Sequence, residues 1–347
     1  MPLVKIKVLI VDDSILFRKT LESNLSTDPY IQIIGTAVDA MDAMAKIDEL
    51  NPDVVTLDVE MPKMNGIEFL KKLMPRHPVP VVVVSSLPIN ALDALSAGAV
   101  DFVKKPQVQG PSDLAHFVRE LTIKVKIAST AKVGRRQPVL APGAPTSVSL
   151  STRAPSDAII AIGASTGGTE AILEVVRNLP TTTPGVVIVQ HMPPVFTQMY
   201  AQRLDKICKM RVKEAENGDR VERGKIIIAA GEYHMTVNKD AQGYFIKSAQ
   251  GARVNGHCPS VEVMFDSVAL KAKNKAIGVI LTGMGADGAQ GLLRMRQAGA
   301  YTIGQDKESS VVYGMPMVAY DIGGVAKQLP LTQISAEIIR YLNTLSH

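Results

Sequence analysis

The sequence predicts two α/β regions in tandem: an N-terminal flavodoxin-like (βα)5 unit, then a doubly wound, mostly parallel sheet with an antiparallel insert. Three observations carry this expectation. Short β-branched runs alternate with longer amphipathic stretches from Val4 to about Thr122, the pattern of parallel strands joined by helical crossovers. The alternation breaks between about Lys132 and Pro155, where Pro, Gly, Ser, Thr and Arg dominate and too little apolar surface remains to pack. It resumes at Asp157 with a second set of apolar runs, several ending in glycine-rich turns.

In the first region strands are expected at Val4–Val11, Ile31–Ala37, Asp53–Leu57, Val79–Val84 and Val100–Val103. Helices fill the gaps at Ser14–Leu25, Ala40–Glu49, Gly66–Leu73, Ala91–Ala97 and Pro111–Ile127. This makes residues 1–128 one domain, 129–155 a flexible linker and 156–347 a second domain. In the second, Asp157–Ile162, Val186–Gln190 and Ala276–Leu281 read as buried parallel strands. The stretch from about Val212 to Lys247, with Gly224, Gly231 and Gly243 at turns, reads as the antiparallel insert, and Thr332–Leu345 as a closing amphipathic helix.

A length of 347 residues with a hydrophobic share of 46% allows each region its own core. The net charge of +5 is spread without a long basic run, so nucleic-acid binding is not implied, and an acidic protein surface is as good a partner. Cys208 and Cys258 are too few for a disulfide framework or a Cys-x-x-Cys metal site. No apolar run reaches the roughly 18 residues of a membrane span. Lysines interrupt the first apolar run, unlike a signal peptide, so a cytoplasmic protein without membrane insertion is expected.

Two constellations carry chemistry. Asp12 and Asp13 end the first strand and Asp58 the third, the strands that flank the switch point in a 2-1-3-4-5 order. Carboxylates converging there repel one another and suit a hard cation such as Mg²⁺. Ser85 ends the fourth strand and Lys105 follows the fifth, a hydroxyl and an ammonium that could hold a phosphoryl group on Asp58. Val11-Asp12-Asp13-Ser14, Leu57-Asp58-Val59-Glu60-Met61-Pro62 and Lys104-Lys105-Pro106 resemble a response-regulator receiver domain. The resemblance implies phosphorylation of Asp58 by a histidine kinase, Mg²⁺ on Asp12, Asp13 and Asp58, and a cis peptide at Pro106.

The second constellation begins at Gly163-Ala164-Ser165-Thr166-Gly167-Gly168, directly after an apolar run. A strand that stops in Gly-x-Ser-x-Gly and enters a helix lifts a serine hydroxyl out of a sheet. A dinucleotide fingerprint would need glycine where Ser165 stands and an acidic residue where the next strand ends in Gln190-His191, so that alternative fails twice. His191 follows a strand, and Asp287 lies in Thr282-Gly283-Met284-Gly285-Ala286-Asp287 after another. Serine needs a base to become a nucleophile, imidazole supplies it near neutral pH, and a carboxylate fixes the imidazole tautomer. Backbone N–H groups at Thr166 or Met284 are candidates for an oxyanion hole. Of the other histidines, His77, His116 and His347 read as solvated, His234 as structural, and His257 as lying at the start of a helix.

Together with Gln190-His191-Met192-Pro193, His257-Cys258-Pro259-Ser260-Val261 and Thr282-Gly283-Met284-Gly285-Ala286-Asp287-Gly288, the serine motif resembles the chemotaxis protein-glutamate methylesterases. With the receiver in front, the similarity covers all but the linker. It implies phosphorylation-activated hydrolysis of glutamate γ-methyl esters on chemoreceptors with release of methanol, and deamidation of receptor glutamines. It matches Ser165, His191 and Asp287 to the triad and Thr166, His257 and Met284 to the lining of the site, with no cofactor for the ester chemistry. Glu262 stands where that family usually has Asp, a small departure. A transcriptional output would need a helix-turn-helix, which the strand-rich second region does not offer. A non-catalytic adaptor is disfavoured by the intact serine, histidine and aspartate set.

Overall fold

The structure is a computed structural model that describes residues 4–106, 111–134 and 157–345. The chain divides into two units, Met1–Ala141 and Pro142–His347, each with its own sheet. Most of the expected linker, and His347, lie outside the described residues. Among the described residues no helix is long and apolar enough to cross a membrane.

The first unit alternates β1 (Ile6–Val11), α1 (Ile15–Leu25), β2 (Ile31–Ala37), α2 (Ala40–Leu50), β3 (Val54–Asp58), α3 (Gly66–Arg76), β4 (Val81–Ser85), α4 (Pro88–Ser96), β5 (Asp101–Lys104) and α5 (Pro111–Ala128). The strands pair in the order β2-β1-β3-β4-β5, all in parallel. Val54–Leu57 and Val81–Val84 are buried along their length, as expected for strands with helices on both faces. Helix starts are set by side chains that satisfy otherwise unpaired N–H groups: Ser14 accepts from Phe17 N, Asp39 from Met41 N and Asp42 N, and Asn65 from Glu68 N. Helix α4 begins three residues earlier than expected because Pro88 sits in its first turn, where a fixed φ is pre-organised for helix. Gly66 lets α3 start against the end of β3, since a Cβ there would lie 2.7 Å from the Asp58 carbonyl oxygen.

The second unit contains β6 (Ile159–Ala164), α6 (Gly168–Val176), β7 (Gly185–Gln190), α7 (Phe196–Ile207), β8 (Arg211–Glu214), β9 (Lys225–Ile228), β10 (His234–Asp240) and β11 (Gly243–Ala249). It continues through α8 (Val261–Ala272), β12 (Ala276–Ile280), α9 (Ala289–Gln297), β13 (Tyr301–Gln305), α10 (Met315–Asp321), β14 (Lys327–Leu329) and α11 (Leu331–Thr344). Its seven-stranded sheet has the order β14-β13-β12-β6-β7-β9-β8. The chain leaves β6 toward β7 and later returns to β12 on the other side, so β6 lies at a switch point.

The antiparallel insert is smaller than expected. Strands β8 and β9 extend the main sheet in parallel, and only the hairpin β10–β11 is antiparallel. The reason is visible in burial. Ile226–Ile228 are buried as a continuous run, fit for a strand covered on both faces. In β10, Met235 and Val237 are fully buried while the residues between them are not, the alternation of a strand with one covered face. Those two side chains join Tyr244 and Ile246 of β11 in packing with Met264, Phe265 and Val268 of α8, in one core with Val187 and Val189 of the central sheet.

Candidate active site

The carboxyl ends of β1 and β3 bring Asp12, Asp13 and Asp58 together, with one ligand oxygen from each within 4.8 Å of the others. Asp12 and Asp58 are buried and Asp13 is exposed. Burial, with the charge of Asp58, pushes the Asp12 carboxyl up to about 6 against the opposing hydrogen bond from Lys105. Lys105 Nζ donates to Asp12 Oδ2 at 2.9 Å and Asp58 Oδ2 at 2.5 Å, and lies 4.5 Å from the centre of the Phe17 ring. Burial acts to lower the Lys105 ammonium pKa, yet the two carboxylates outweigh it and hold it above its usual value. An all-carboxylate oxygen set of this kind fits Mg²⁺. The peptide before Pro106 is not cis: among the described residues the cis bond is Cys258–Pro259. Lys105 reaches both carboxylates with that bond trans, and X–Pro isomers differ intrinsically by only about 0.5–1 kcal/mol, too little for the dipeptide alone to fix the choice.

Ser85 is buried at the end of β4, but its hydroxyl is occupied elsewhere. It lies 3.0 Å from Glu60 Oε1 and 3.1 Å from the Leu87 carbonyl oxygen, and accepts from Leu87 N at 3.2 Å. Ser86 Oγ donates to the other Glu60 oxygen at 2.7 Å. Glu60 therefore gathers the β4–α4 turn, a role its place in the Asp58 motif does not reveal.

In the second unit Ser165 stands one residue beyond β6. Its N–H donates to the Thr282 carbonyl at 3.0 Å, and its own carbonyl accepts from Gly168 N at 2.7 Å and Gln190 Nε2 at 2.9 Å. The turn requires its glycines. Gly167 has φ 77°, and a Cβ on Gly283 would lie 2.7 Å from Ser165 Cβ. His191 is the first residue beyond β7, and its N–H donates to the Ala164 carbonyl at 3.3 Å, which brings the starts of the two loops side by side.

The His191 ring is committed on one side. Nε2 lies 2.7 Å from Asp287 Oδ2, and the ring stacks on His257 with centroids 3.6 Å apart and planes 7° from parallel. Nδ1 is buried and makes no hydrogen bond, to Ser165 Oγ or any other atom. With the Nε2 proton directed at Asp287, Nδ1 carries the free lone pair. Serine–base hydrogen bonds are often long without substrate and tighten in the reacting complex.

Asp287 is nearly saturated with donors. Besides His191 it accepts from Asn255 Nδ2 at 3.0 Å, Ser260 Oγ at 2.7 Å, Val261 N at 2.7 Å and Glu262 N at 3.3 Å. The two backbone donors open α8, so the carboxylate also meets the positive end of the helix dipole. Burial alone would raise its pKa; the His191 hydrogen bond and charge, with Asn255 and Ser260, outweigh burial and hold it well below the usual carboxylate range. Glu262, in α8's first turn, accepts from Gly288 N at 3.0 Å and pairs with Arg294, so it braces the Asp287 loop. Burial raises its pKa.

The remaining expected residues take up distinct places. Thr166 is buried, and its carbonyl accepts from Thr282 Oγ1 at 3.0 Å, tying the serine turn to the loop after β12. Met284 projects from that loop, 44% exposed. His257 lies in the loop before α8, not in the helix. His234 is structural as expected: Nε2 lies 2.8 Å from the Ala252 carbonyl, and Nδ1 accepts from Ser260 N at 3.3 Å. The sequence reading missed Asn255, Glu60 and the part played by Ser260. Only Ser260 left a signal, a serine just before the helix that α8 became.

Residues 160–338 match the family model described as CheB methylesterase, and residues 8–119 that of the response regulator receiver domain. A Syntrophomonas wolfei protein named protein-glutamate methylesterase/protein-glutamine glutaminase 2 is 54% identical over 345 residues, 99% of this chain and 100% of its own. A Salmonella typhimurium protein named protein-glutamate methylesterase/protein-glutamine glutaminase is 46% identical over 339 residues, 96% of each chain. Among solved structures, the catalytic domain of the Thermotoga maritima CheB methylesterase matches with a TM-score of 0.53 and 38% identity, over 54% of this chain and 100% of that one.

Proposed function

This chain belongs to the CheB methylesterase family, with a response regulator receiver domain in front, and on that premise we propose which of its residues perform the chemistry. The enzyme hydrolyses glutamate γ-methyl esters on chemoreceptors, releasing methanol, and deamidates receptor glutamines, under the control of phosphorylation in chemotactic adaptation. Ser165 Oγ attacks the side-chain carbonyl while His191 takes its proton through Nδ1, the nitrogen that Asp287 leaves free. Asp287 stays ionised, holds the Nε2 proton and stabilises the imidazolium that forms. Backbone N–H groups at Thr166 or Met284 receive the developing oxyanion, and His257 keeps the His191 ring in plane. Collapse expels methanol from an ester, or ammonia from an amide, with the proton returned by His191. Water then attacks the acyl-serine with His191 again as base and leaves a glutamate carboxylate.

In the receiver, Asp58 accepts the phosphoryl group from a histidine kinase; Asp12, Asp13 and Asp58 would hold Mg²⁺, which would offset the negative charge gathered there. Lys105 and, once released from Glu60, Ser85 hold the phosphoryl oxygens. We read the reaction as cytoplasmic, where kinase and receptor tails are both within reach.

The observation that carries the hydrolytic reading is a buried imidazole with one nitrogen fixed by an ionised aspartate and the other unpartnered, just past the strand that pairs with β6 beside the serine turn. The test is methanol release from methylated receptor membranes by the wild-type chain and by Ser165→Ala. Turnover in the variant near that of wild type would remove Ser165 as the nucleophile.

A further inference from the structure

Val195 stands where a valine is disfavoured. Its backbone has φ 71° and ψ −43°. Among the described non-glycine residues with positive φ, the others are Asn51, Lys63, Glu232, Asn255 and Lys273, so Val195 is the β-branched case. Branching at Cβ makes such a conformation strained, and strain of this kind persists only where neighbours enforce it. The neighbours here are firm. Pro193 and Pro194 precede it, and Gly231 lies so close that a Cβ there would be 2.3 Å from Pro194 N. Phe196, which follows, is fully buried at the start of α7.

No packing gain offsets this strain, because the Val195 side chain is 54% exposed. The residue lies four positions beyond His191, in the connection from β7 to α7, and so on the sheet edge that carries Ser165 and His191. On the far side of β6 the same edge bears Met284, also apolar and exposed. The reaction turns a neutral ester into a carboxylate. Apolar neighbours suit the uncharged methyl ester better than the carboxylate it becomes.

We propose that Val195 is a specificity-determining residue of the demethylation site, an apolar knob held out by strained backbone to meet the receptor surface beside the esterified glutamate. This rests on the methylesterase reading above. The test uses the full chain with phosphodonor and methylated receptor membranes, comparing wild type, Val195→Thr and Val195→Gly. Threonine keeps the branching and size and removes only apolar character; glycine removes the side chain and relaxes the backbone.

Val195→Thr raises KM for methylated receptors about 3- to 10-fold, with kcat within about twofold and the unfolding midpoint unmoved. Val195→Gly raises KM at least as far while its unfolding midpoint rises. Labelling of Ser165 by a small fluorophosphonate reports that both variants are folded. Unchanged KM in both overturns the proposal and leaves the strained turn as a path from β7 to α7. A loss confined to kcat overturns it too, because Val195 would then act on the reacting groups. A wild-type chain that releases no methanol in the same assay removes the parent reading and takes this proposal with it, an outcome distinct from the other two.

Discussion

At the carboxyl ends of β1 and β3, Asp12, Asp13 and Asp58 crowd one another, and the buried two, Asp12 and Asp58, share one ammonium, Lys105. At the carboxyl edge of the second sheet, Asp287 is ringed by donors from His191, Asn255, Ser260 and the first N–H groups of α8. Burial acts on both, yet Asp12 is driven up to about 6 and Asp287 is held far down. The difference lies in the neighbours. Like charges leave oxygen lone pairs seeking a cation, which is what a metal and phosphoryl site requires. Saturating donors remove a carboxylate from proton exchange, which suits a group that orients an imidazole. On the proposed assignment, one kind of sheet edge serves phosphoryl acceptance in one unit and acyl transfer in the other.

The contrast can be broken at several points. Ser165→Ala should have the largest effect, a fall in methanol release of about 10⁴-fold or more, while phosphodonor labelling of Asp58 is retained. Loss of labelling with loss of turnover would mean that the fold had failed. Asp287→Ala should lower kcat by about 10²–10⁴-fold, less than the serine because it orients and does not react. Ser260→Ala should lower it further below wild type than Asn255→Ala, since Ser260 is buried and makes the shorter bond to Asp287. Equal, negligible losses in both would show that the helix start alone holds the carboxylate.

Asp58→Asn should leave unphosphorylated turnover intact and abolish the response to phosphodonor, a change of about 5–150-fold if the coupling has the usual 1–3 kcal/mol. A variant that still responds would move the phosphoryl site elsewhere.

An effect on stability, with no change of chemistry, separates the two edges by sign. The folded Asp12 value of about 6 lies above the ordinary carboxylate value, so its contribution to stability is present at low pH and lost as pH rises through about 6. In EDTA, Asp12→Asn should stabilise the receiver at pH 7–8 by on the order of 1–3 kcal/mol, and the gain should vanish below about pH 4. Asp287 is depressed, so its contribution is present above its unfolded value and lost as pH falls. Asp287→Asn should therefore destabilise the second unit at neutral pH, the deficit closing toward acid. Calorimetric melting over that pH range reads both, and shifts of the same sign would contradict the contrast.

Much of this was legible in the chain. Val54–Leu57 and Val81–Val84 announce buried parallel strands because burial on both faces demands uninterrupted apolar runs. Ser165, His191 and Asp287 stand out because each follows such a run in a turn whose backbone needs glycine or proline. What escaped was non-local choice of partner. Asn255 reaches Asp287 from a loop distant in sequence, and Glu60 holds Ser85 and Ser86 across the sheet edge. Strands β8 and β9 join the main sheet and not the insert, a choice that nothing in a four-residue strand reveals.

The seating of Asp287 on α8 has a consequence for heat. The first N–H groups of that helix hold the carboxylate, and Val261, which supplies one of them, is fully buried in the same core as the helix body. Low-energy local opening belongs to exposed, poorly packed segments, and a helix end buried in this way gives way with the core. Warming should then release Asp287 only as the core opens, so that turnover and the domain's folded signal are lost over the same temperature range.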